Sequence, residues 1–223
     1  MTIQTEEELV NSFVNYTHEK NNKSTILYRE VQTGYGRPDV LHIEYNENVL
    51  NKRKMSYHGP LSTLAAHMMT YLAERRWVSM EKVSKQFDIK NGKLLIILED
   101  LLSRGLIVKN EHLIKSKPRN EILAIKRLGV YEAKLYQWKE AINQAERNLW
   151  FTNDSYILMP IKRGKLKNNI YNECKSRGIG VGFFNEETGL DILLKPVRSG
   201  VINTPFLWTI NEELWKEQLY EYN

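Results

Sequence analysis

Three residues, Asp39, Glu132 and Lys134, have the types and spacing to hold a metal ion and act on a phosphate group. Glu132 and Lys134 are two residues apart in the strand-like run EILAIKRLGVYEAKL, so strand alternation places both side chains on one face. Asp39 follows a proline in GRPDV, at the start of another strand-like run. Two carboxylates on adjacent strands form a hard oxygen site that suits Mg²⁺ or Mn²⁺. A lysine beside them would face the reacting phosphate.

The order of these motifs resembles that of the PD-(D/E)xK nuclease superfamily. GRPDV is followed by EAK at a strand end and then by the helical run WKEAINQA. The resemblance covers residues 24–46 and 120–200, and it implies a metal-dependent DNA endonuclease with a restriction-endonuclease-like fold. By that resemblance Asp39 and Glu132 bind Mg²⁺ (or Mn²⁺), Lys134 positions or activates the attacking water, and Gln144 supports the site. The long gap between Asp39 and Glu132 departs from many members, and an inserted segment accounts for it.

A further acidic residue usually completes a site of this family, and two positions are open. Glu30 lies on the first predicted strand, and Glu6 to Glu8 lie on the opening helix. A hairpin that turns at Gly34 to Gly36 would bring Glu30 alongside Asp39, which favours Glu30.

Composition limits the other kinds of site. Cys174 is the only cysteine, and the five histidines are scattered, so neither an internal disulfide nor a thiolate zinc site is expected. Any metal must therefore be held by carboxylates. No apolar run is long enough to span a bilayer, and the acidic N-terminal segment does not resemble a secretory signal. These features predict a cytoplasmic protein.

Charge is unevenly distributed along the chain. The net charge is +5, but residues 52–126 hold 15 basic and 7 acidic residues, whereas both flanks together are slightly acidic. A basic middle segment indicates a polyanion as partner, although a lysine-rich solvated surface has the same composition.

Hydrophobic periodicity predicts the elements that carry these residues. A helix over 6–20 and two paired strands precede a segment of three helices and a hairpin that turns near Asn110, which is the order of a winged helix-turn-helix. After residue 120, strands alternate with helices, as in an α/β unit with a partly parallel sheet. The predicted architecture is a restriction-endonuclease-like mixed sheet flanked by helices, formed by residues 1–57 and 118–223, with a winged-helix module inserted at 58–117. The tail from Pro205 is predicted to be a packing or dimerisation helix.

The predicted winged-helix module supplies candidate DNA-binding residues near its turns and its wing. They are Arg75, Arg76, Lys90, Asn91, Lys93, Lys109, Lys115 and Lys117. Its third helix, KLLIILEDLLSR, is mostly apolar and offers no clear base-reading side chain. The module could therefore hold DNA by shape and charge, contact a protein partner or be purely structural. Two alternatives to the nuclease stay open: a DNA-binding regulator with a catalytically silent core, and a subunit of a larger DNA-processing assembly, as a homodimer or with a partner protein.

Overall fold

The computed structural model describes residues 3–20, 24–53, 59–160, 164–197 and 200–220. The chain forms two compact units, and each is built from two separate stretches of sequence. Met1–Tyr45 and Ile125–Ile202 form the first, called here the α/β unit. Asn46–Ala124 and Asn203–Asn223 form the second, called here the helical unit.

The helices and strands fall close to where periodicity predicts them. The helices of the described residues are α1 Glu6–Lys20, α2 Glu47–Arg53, α3 Thr63–Leu72, α4 Met80–Phe87, α5 Asn91–Ser103, α6 Arg119–Ile122, α7 Trp138–Asn148, α8 Gly164–Arg177 and α9 Pro205–Tyr220. The strands are β1 Thr25–Arg29, β2 Val40–Tyr45, β3 Val78–Ser79, β4 Ile107–Asn110, β5 Leu113–Ser116, β6 Ile125–Ala133, β7 Asp154–Pro160, β8 Gly180–Asn185 and β9 Gly189–Leu194. Among these, the short elements α2, β3 and α6 are not expected from the sequence.

A six-stranded mixed sheet forms the centre of the α/β unit, in the order β1-β2-β6-β7-β8-β9. β1, β2 and β6 are successively antiparallel, which confirms the predicted pairing of the first two strands. β6, β7 and β8 run parallel, and β9 returns antiparallel along the edge. Helices cover both faces of this sheet, so the prediction of an α/β fold with a mixed sheet is confirmed.

The two faces of the sheet bury different sets of side chains. On one face, Leu9 and Phe13 of α1 pack against Tyr131, Leu158 and other buried residues. On the other face, residues of α7 and α8 pack against alternate residues of β7 and β8. Because strand side chains alternate, neighbouring residues of β6 are sent to opposite helical layers.

The start of α1 is fixed by a capping box. The Glu8 amide donates to Thr5 Oγ1 over 3.0 Å, and the Thr5 amide donates to Glu8 Oε2 over 3.3 Å. Three glutamates in the first turn, Glu6 to Glu8, also suit the positive end of the helix dipole. The cap therefore sets where Glu6 begins the helix.

In the helical unit, α3, α4 and α5 enclose an apolar core beside a three-stranded sheet of order β3-β5-β4. Gly105 follows α5 with a φ of 67°, and its amide donates to the Leu102 carbonyl, as expected of a glycine that ends a helix. The hairpin of β4 and β5 pairs Asn110 with Leu113, which confirms the predicted turn.

The bounds of the helical unit differ from the predicted insertion at 58–117, and the predicted boundary between residues 57 and 58 lies outside the described residues. The C-terminal helix α9 belongs to this unit because Trp208 is fully buried in the same core as α3. Arg53 and Glu212 form a buried ion pair at 3.1 Å, which joins α2 to α9. The predicted domain boundaries instead assign this helix to the sheet-containing domain. An apolar pattern shows that a helix packs on a core, but it does not identify which core.

None of the helices within the described residues is long and apolar enough to cross a membrane.

Candidate active site

The antiparallel pairing of β2 and β6 brings Asp39 beside the Glu132 segment. Val40 lies opposite Tyr131 in this ladder, so Asp39, one residue earlier, continues the register next to Glu132. Asp39 Oδ2 accepts a hydrogen bond of 2.7 Å from the Ala133 amide. Asp39 and Glu132, which are far apart in sequence, are thereby held where the start of β2 meets the end of β6.

Glu132 lies on the face that α7 covers, and its side chain is 6% exposed. Its parallel partner on β7 is Ile157, a member of the core beneath α7 and α8. Glu132 Oε1 accepts a hydrogen bond of 2.7 Å from Asn148 Nδ2, at the C-terminal end of α7. α7 therefore orients this carboxylate, leaving its second oxygen with no hydrogen bond among the described residues.

Burial and a neighbouring acid perturb the titration of Glu132. The pKa of its carboxyl is raised to about 7, mainly by burial and in smaller part by the negative charge of Asp39. The Asn148 hydrogen bond and the positive charges of Lys134 and Arg147 act in the opposite direction. Because burial disfavours its ionised form, a nearby cation would stabilise the Glu132 carboxylate strongly.

Asp39 is perturbed in the same direction. Burial raises the pKa of its carboxyl, while the Ala133 amide and the charge of Lys134 lower it. The charges of Glu6 and Glu30 raise it further. The carboxylates of Asp39, Glu6, Glu30 and the nearby Glu132 thus contribute to a negative potential around the start of β2.

Lys134 directs its amine toward the first turn of α1. Its Nζ lies 2.9 Å from Glu6 Oε2, and the lysine side chain is 13% exposed. Burial lowers the pKa of this amine, but the hydrogen bond to Glu6 and the charges of Glu6 and Asp39 raise it more, so the net pKa lies above its usual value. Lys134 therefore carries its positive charge beside the two acids.

Both positions considered for a further acid border the same cleft. This cleft has a volume of about 570 Å³, and its lining includes Glu6, Glu30 and Asp39. Glu30 is bound to Arg37 over 2.6 Å, whereas Glu6 is bound to Lys134. The Glu30 amide donates to the Asp39 carbonyl over 3.3 Å, so the hairpin does bring Glu30 alongside Asp39 as predicted. Glu6 is the acid whose carboxylate is bound to Lys134.

Gln144 lies one turn before Asn148 on α7 and contacts neither candidate acid through a hydrogen bond in the described part of the chain. Its Nε2 reaches Glu140 Oε1 over a long 3.4 Å, and its Oε1 is buried without a hydrogen-bond partner there. The amide that supports Glu132 in this structure belongs to Asn148. Sequence reasoning missed Asn148, although its amide side chain four residues after Gln144 on the same helix face was a usable signal.

Two exposed aromatic residues that are close in sequence to Asp39 and Asn148 stack on each other. Tyr35, in the turn before Asp39, and Trp150, just after Asn148, have ring centroids 6.5 Å apart and planes 7° from parallel. The turn is held by Thr33, whose Oγ1 donates to the Gly36 carbonyl and accepts from the Tyr35 amide. Because both rings are exposed, a planar group could stack on Tyr35 or Trp150.

The donor set suits a hard divalent cation. Asp39 and Glu132 offer carboxylate oxygens, and Mg²⁺ is commonly held by one or two carboxylates together with water. Among the described residues, no group of three or more His, Cys, Asp or Glu is placed to hold a metal ion. A metal at this edge would be bound through the Asp39 and Glu132 pair.

The chance second E-x-K sequence, Glu173-Cys174-Lys175, lies on α8. Glu173 pairs with Arg177 at 2.8 Å, Cys174 is buried in the core, and Lys175 is exposed. No strand-borne acid accompanies it in the described contacts, so Lys175 is a suitable control position.

The candidate DNA-binding residues fall into separate places on the helical unit. Arg75, Arg76, Lys115 and Lys117 line one groove. The others lie apart from that groove: Lys90, Asn91 and Lys93 at the start of α5, and Lys109 on β4.

Comparisons of the chain with protein-family models, curated proteins and solved structures return no match.

Proposed function

We propose that this protein is a Mg²⁺-dependent DNA endonuclease of the PD-(D/E)xK type, which hydrolyses phosphodiester bonds at the Asp39–Glu132–Lys134 site. The observation that carries the proposal is the convergence of these three side chains. Asp39 bonds to Ala133, between the other two residues, and both acids have raised pKa values. Folding alone does not favour the half-buried Asp39 carboxylate beside the buried Glu132 carboxylate, so their juxtaposition supports a bound cation.

Each residue has a role that its environment supports. Asp39 and Glu132 hold the metal, and Asn148 fixes the orientation of Glu132. Bound Mg²⁺ supplies a Lewis acid and lowers the pKa of a coordinated water. Lys134 keeps its positive charge and acts on the developing charge of the phosphate oxygens. Glu6 holds the lysine in place.

The strand order supports the same function. Asp39 precedes β2, the E-x-K sequence ends the neighbouring strand β6, and α7 follows, which is the order of motifs on which the family resemblance rests. The helical unit, with three helices followed by a hairpin, suits a winged-helix module that aids binding of DNA.

Incubation of the purified protein with plasmid and linear DNA tests this proposal. We expect nicking or linearisation with Mg²⁺ or Mn²⁺ and none with EDTA. The matched variant is Glu132→Gln, which keeps an acceptor for Asn148 but removes the charge. Cleavage that persists in EDTA, or in this variant, would contradict the proposal.

Metal binding can be tested separately by titration calorimetry with Mn²⁺. Asp39→Asn retains an oxygen that can accept from the Ala133 amide, so the fold should survive while the metal site is lost. Unchanged Mn²⁺ binding in this variant would remove Asp39 from the site.

A second candidate function is a DNA-binding or assembly subunit with a silent core. The outer face of α5 favours it, because Leu95 and Ile96 are 41% and 69% exposed there, as at a protein contact. This alternative predicts no metal-dependent cleavage by the isolated protein.

A further inference from the structure

The helical unit contains a groove whose charged side chains are all basic among the residues described. It has a volume of about 370 Å³ and is bordered by the turn after α3 and by the segment that runs from β5 into α6. The basic and aromatic residues that line it are Arg75, Arg76, Trp77, Lys115, Lys117 and Arg119. The described residues that line it include no aspartate or glutamate.

The pairing of β3 with β5 explains why the cations converge. Val78 lies opposite Ile114, so Trp77 and Lys115 continue the register side by side. Lys115 Nζ lies 4.6 Å from the centre of the Trp77 ring. The hairpin therefore holds the aromatic ring and its neighbouring cation in a fixed arrangement.

The charges of the groove are not neutralised within the described part of the chain. The five basic side chains form no ion pair with a carboxylate there, and Arg75 instead stacks on the Tyr71 ring at 3.7 Å and donates to the Tyr71 carbonyl. Like charges held together repel one another, and a bound polyanion relieves that repulsion.

Trp77 adds a second kind of recognition to the groove. Its side chain is 42% exposed, although tryptophan is usually well buried. Basic side chains that follow a phosphate backbone, together with an exposed ring on which a base stacks, are the combination that binds nucleic acid.

The helix expected to enter the major groove of DNA is less suited to this role. The outer face of α5 exposes Leu95, Ile96 and Glu99, and its only cations lie at its start, at Lys90 and Lys93. Apolar and acidic side chains would face the phosphates along most of its length.

We infer that the basic groove, rather than α5, is the main DNA-binding surface of the helical unit, and that it holds a phosphodiester backbone with Trp77 against a base or sugar. The choice of DNA as the ligand rests on the proposed function. An acidic protein segment would match the charge but would not use the exposed indole in the same way.

Fluorescence anisotropy of labelled duplex and single-stranded DNA, in EDTA to prevent cleavage, tests this inference. We expect Arg76→Ala/Lys115→Ala to weaken binding about tenfold or more, and the salt dependence of log K to lose about 1.8 in slope for duplex DNA, because two phosphate contacts disappear. A second pair, Lys117→Ala/Arg119→Ala, should behave in the same way and guards against a local effect on Trp77.

The control is Lys90→Ala/Lys93→Ala, which removes the same charge from the start of α5. It should change the affinity by less than about threefold, since Lys90 and Lys93 lie outside the groove. DNA should quench tryptophan fluorescence less in Trp77→Phe than in the wild type. A larger loss of DNA affinity in the α5 control than in both groove variants would overturn the inference. Binding of a poly-glutamate peptide as tight as that of DNA would also overturn it.

These outcomes are separable from the fate of the proposed function. Groove-dependent binding without metal-dependent cleavage would support the groove and contradict the nuclease. Cleavage with full affinity in both groove variants would support the nuclease and contradict the groove.

Discussion

Asp39 and Glu132 are placed where folding gains little from their charge. Each is partly or fully buried, each carboxyl has a raised pKa, and Asp39 contributes to the shift at Glu132. Lys134 offsets part of this repulsion, yet its amine is held by Glu6 and leaves the pair with a net negative charge. Local instability of this kind is typical of sites whose ligand supplies the missing interaction.

His42 gives a test of the electrostatics on the opposite face of the sheet. Burial and, to a smaller extent, the charge of Arg127 lower the pKa of its imidazole from 6.5 to about 4, while the charge of Glu44 opposes both. The cleft beside it is also lined by Tyr131 and Asp154, among other residues. In the unfolded chain His42 takes up a proton near pH 6.5, whereas in the folded protein it does so only near pH 4.

The stability due to neutral His42 is fully present above pH 6.5 and is lost as the pH falls toward 4. We expect His42→Gln to abolish a loss on the order of 2–3 kcal/mol in the free energy of unfolding across that window. Urea denaturation at several pH values measures it, with the exposed His18→Gln as control. A wild-type loss that is unchanged in His42→Gln would contradict the assignment.

The residues of the candidate site could be found from sequence because strand alternation and hairpin pairing are local rules. Glu132 and Lys134 lie at the end of one strand, and Asp39 immediately precedes another strand that must pair nearby. The contacts of Glu6 and Asn148 depend instead on how α1 and α7 pack on the sheet, which periodicity does not specify. The sequence therefore places Glu30 beside Asp39 correctly but does not identify the contact of Glu6 with Lys134, and it points to Gln144 where Asn148 makes the contact.

At the scale of elements, α7 acts as the support of the Glu132 carboxylate. Asn148 and Gln144 are one helical turn apart, but only Asn148 donates to Glu132 in the described contacts. We expect Asn148→Ala to weaken Mn²⁺ binding about 10- to 100-fold, because an unrestrained ligand must be ordered on binding. Gln144→Ala should change it by less than about twofold.

Titration calorimetry of the two variants makes this comparison, and thermal unfolding shows whether each has kept its fold. The two substitutions remove an amide side chain from the same helix and are thus closely matched. A larger loss of Mn²⁺ affinity in Gln144→Ala would restore the role that the family resemblance implies for Gln144.

At the scale of the whole molecule, each unit is formed from two separate stretches of the chain. Tyr45 and Ile125 are partners across the β2–β6 ladder, so the chain leaves and re-enters the α/β unit at adjacent points. The helical unit likewise needs α9, whose Trp208 completes its core. The insertion was predictable from the interrupted strand pattern, but the return of the C-terminal helix was not, because an amphipathic helix does not identify its partner.

A rebuilt α/β unit tests this division. Joining Tyr45 to Ile125 through an Asn-Gly turn, with the chain ended at Ile202, should give a protein that unfolds cooperatively on heating. Removal of residues 60–117 alone should instead cause aggregation, since Trp208 would lose the core around α3. A rebuilt unit without a cooperative transition, beside a well-folded simple deletion, would contradict the division of the chain at Tyr45, Ile125 and Ile202.

Lys134 is proposed to act on the reaction at Asp39 and Glu132, the proposed metal-binding acids. Single-turnover cleavage of DNA by wild type, Lys134→Ala and Lys175→Ala, at saturating Mg²⁺ and protein, measures this directly. We predict that Lys134→Ala reduces the rate about a hundredfold or more while DNA and Mn²⁺ binding largely persist, because the lost charge acts mainly in the transition state. The exposed Lys175→Ala variant should cleave like wild type. Equal rates in all three proteins would contradict the claim, since loss of the partly exposed ion pair with Glu6 would cost only about 1 kcal/mol of stability or less and leave the chemistry unchanged.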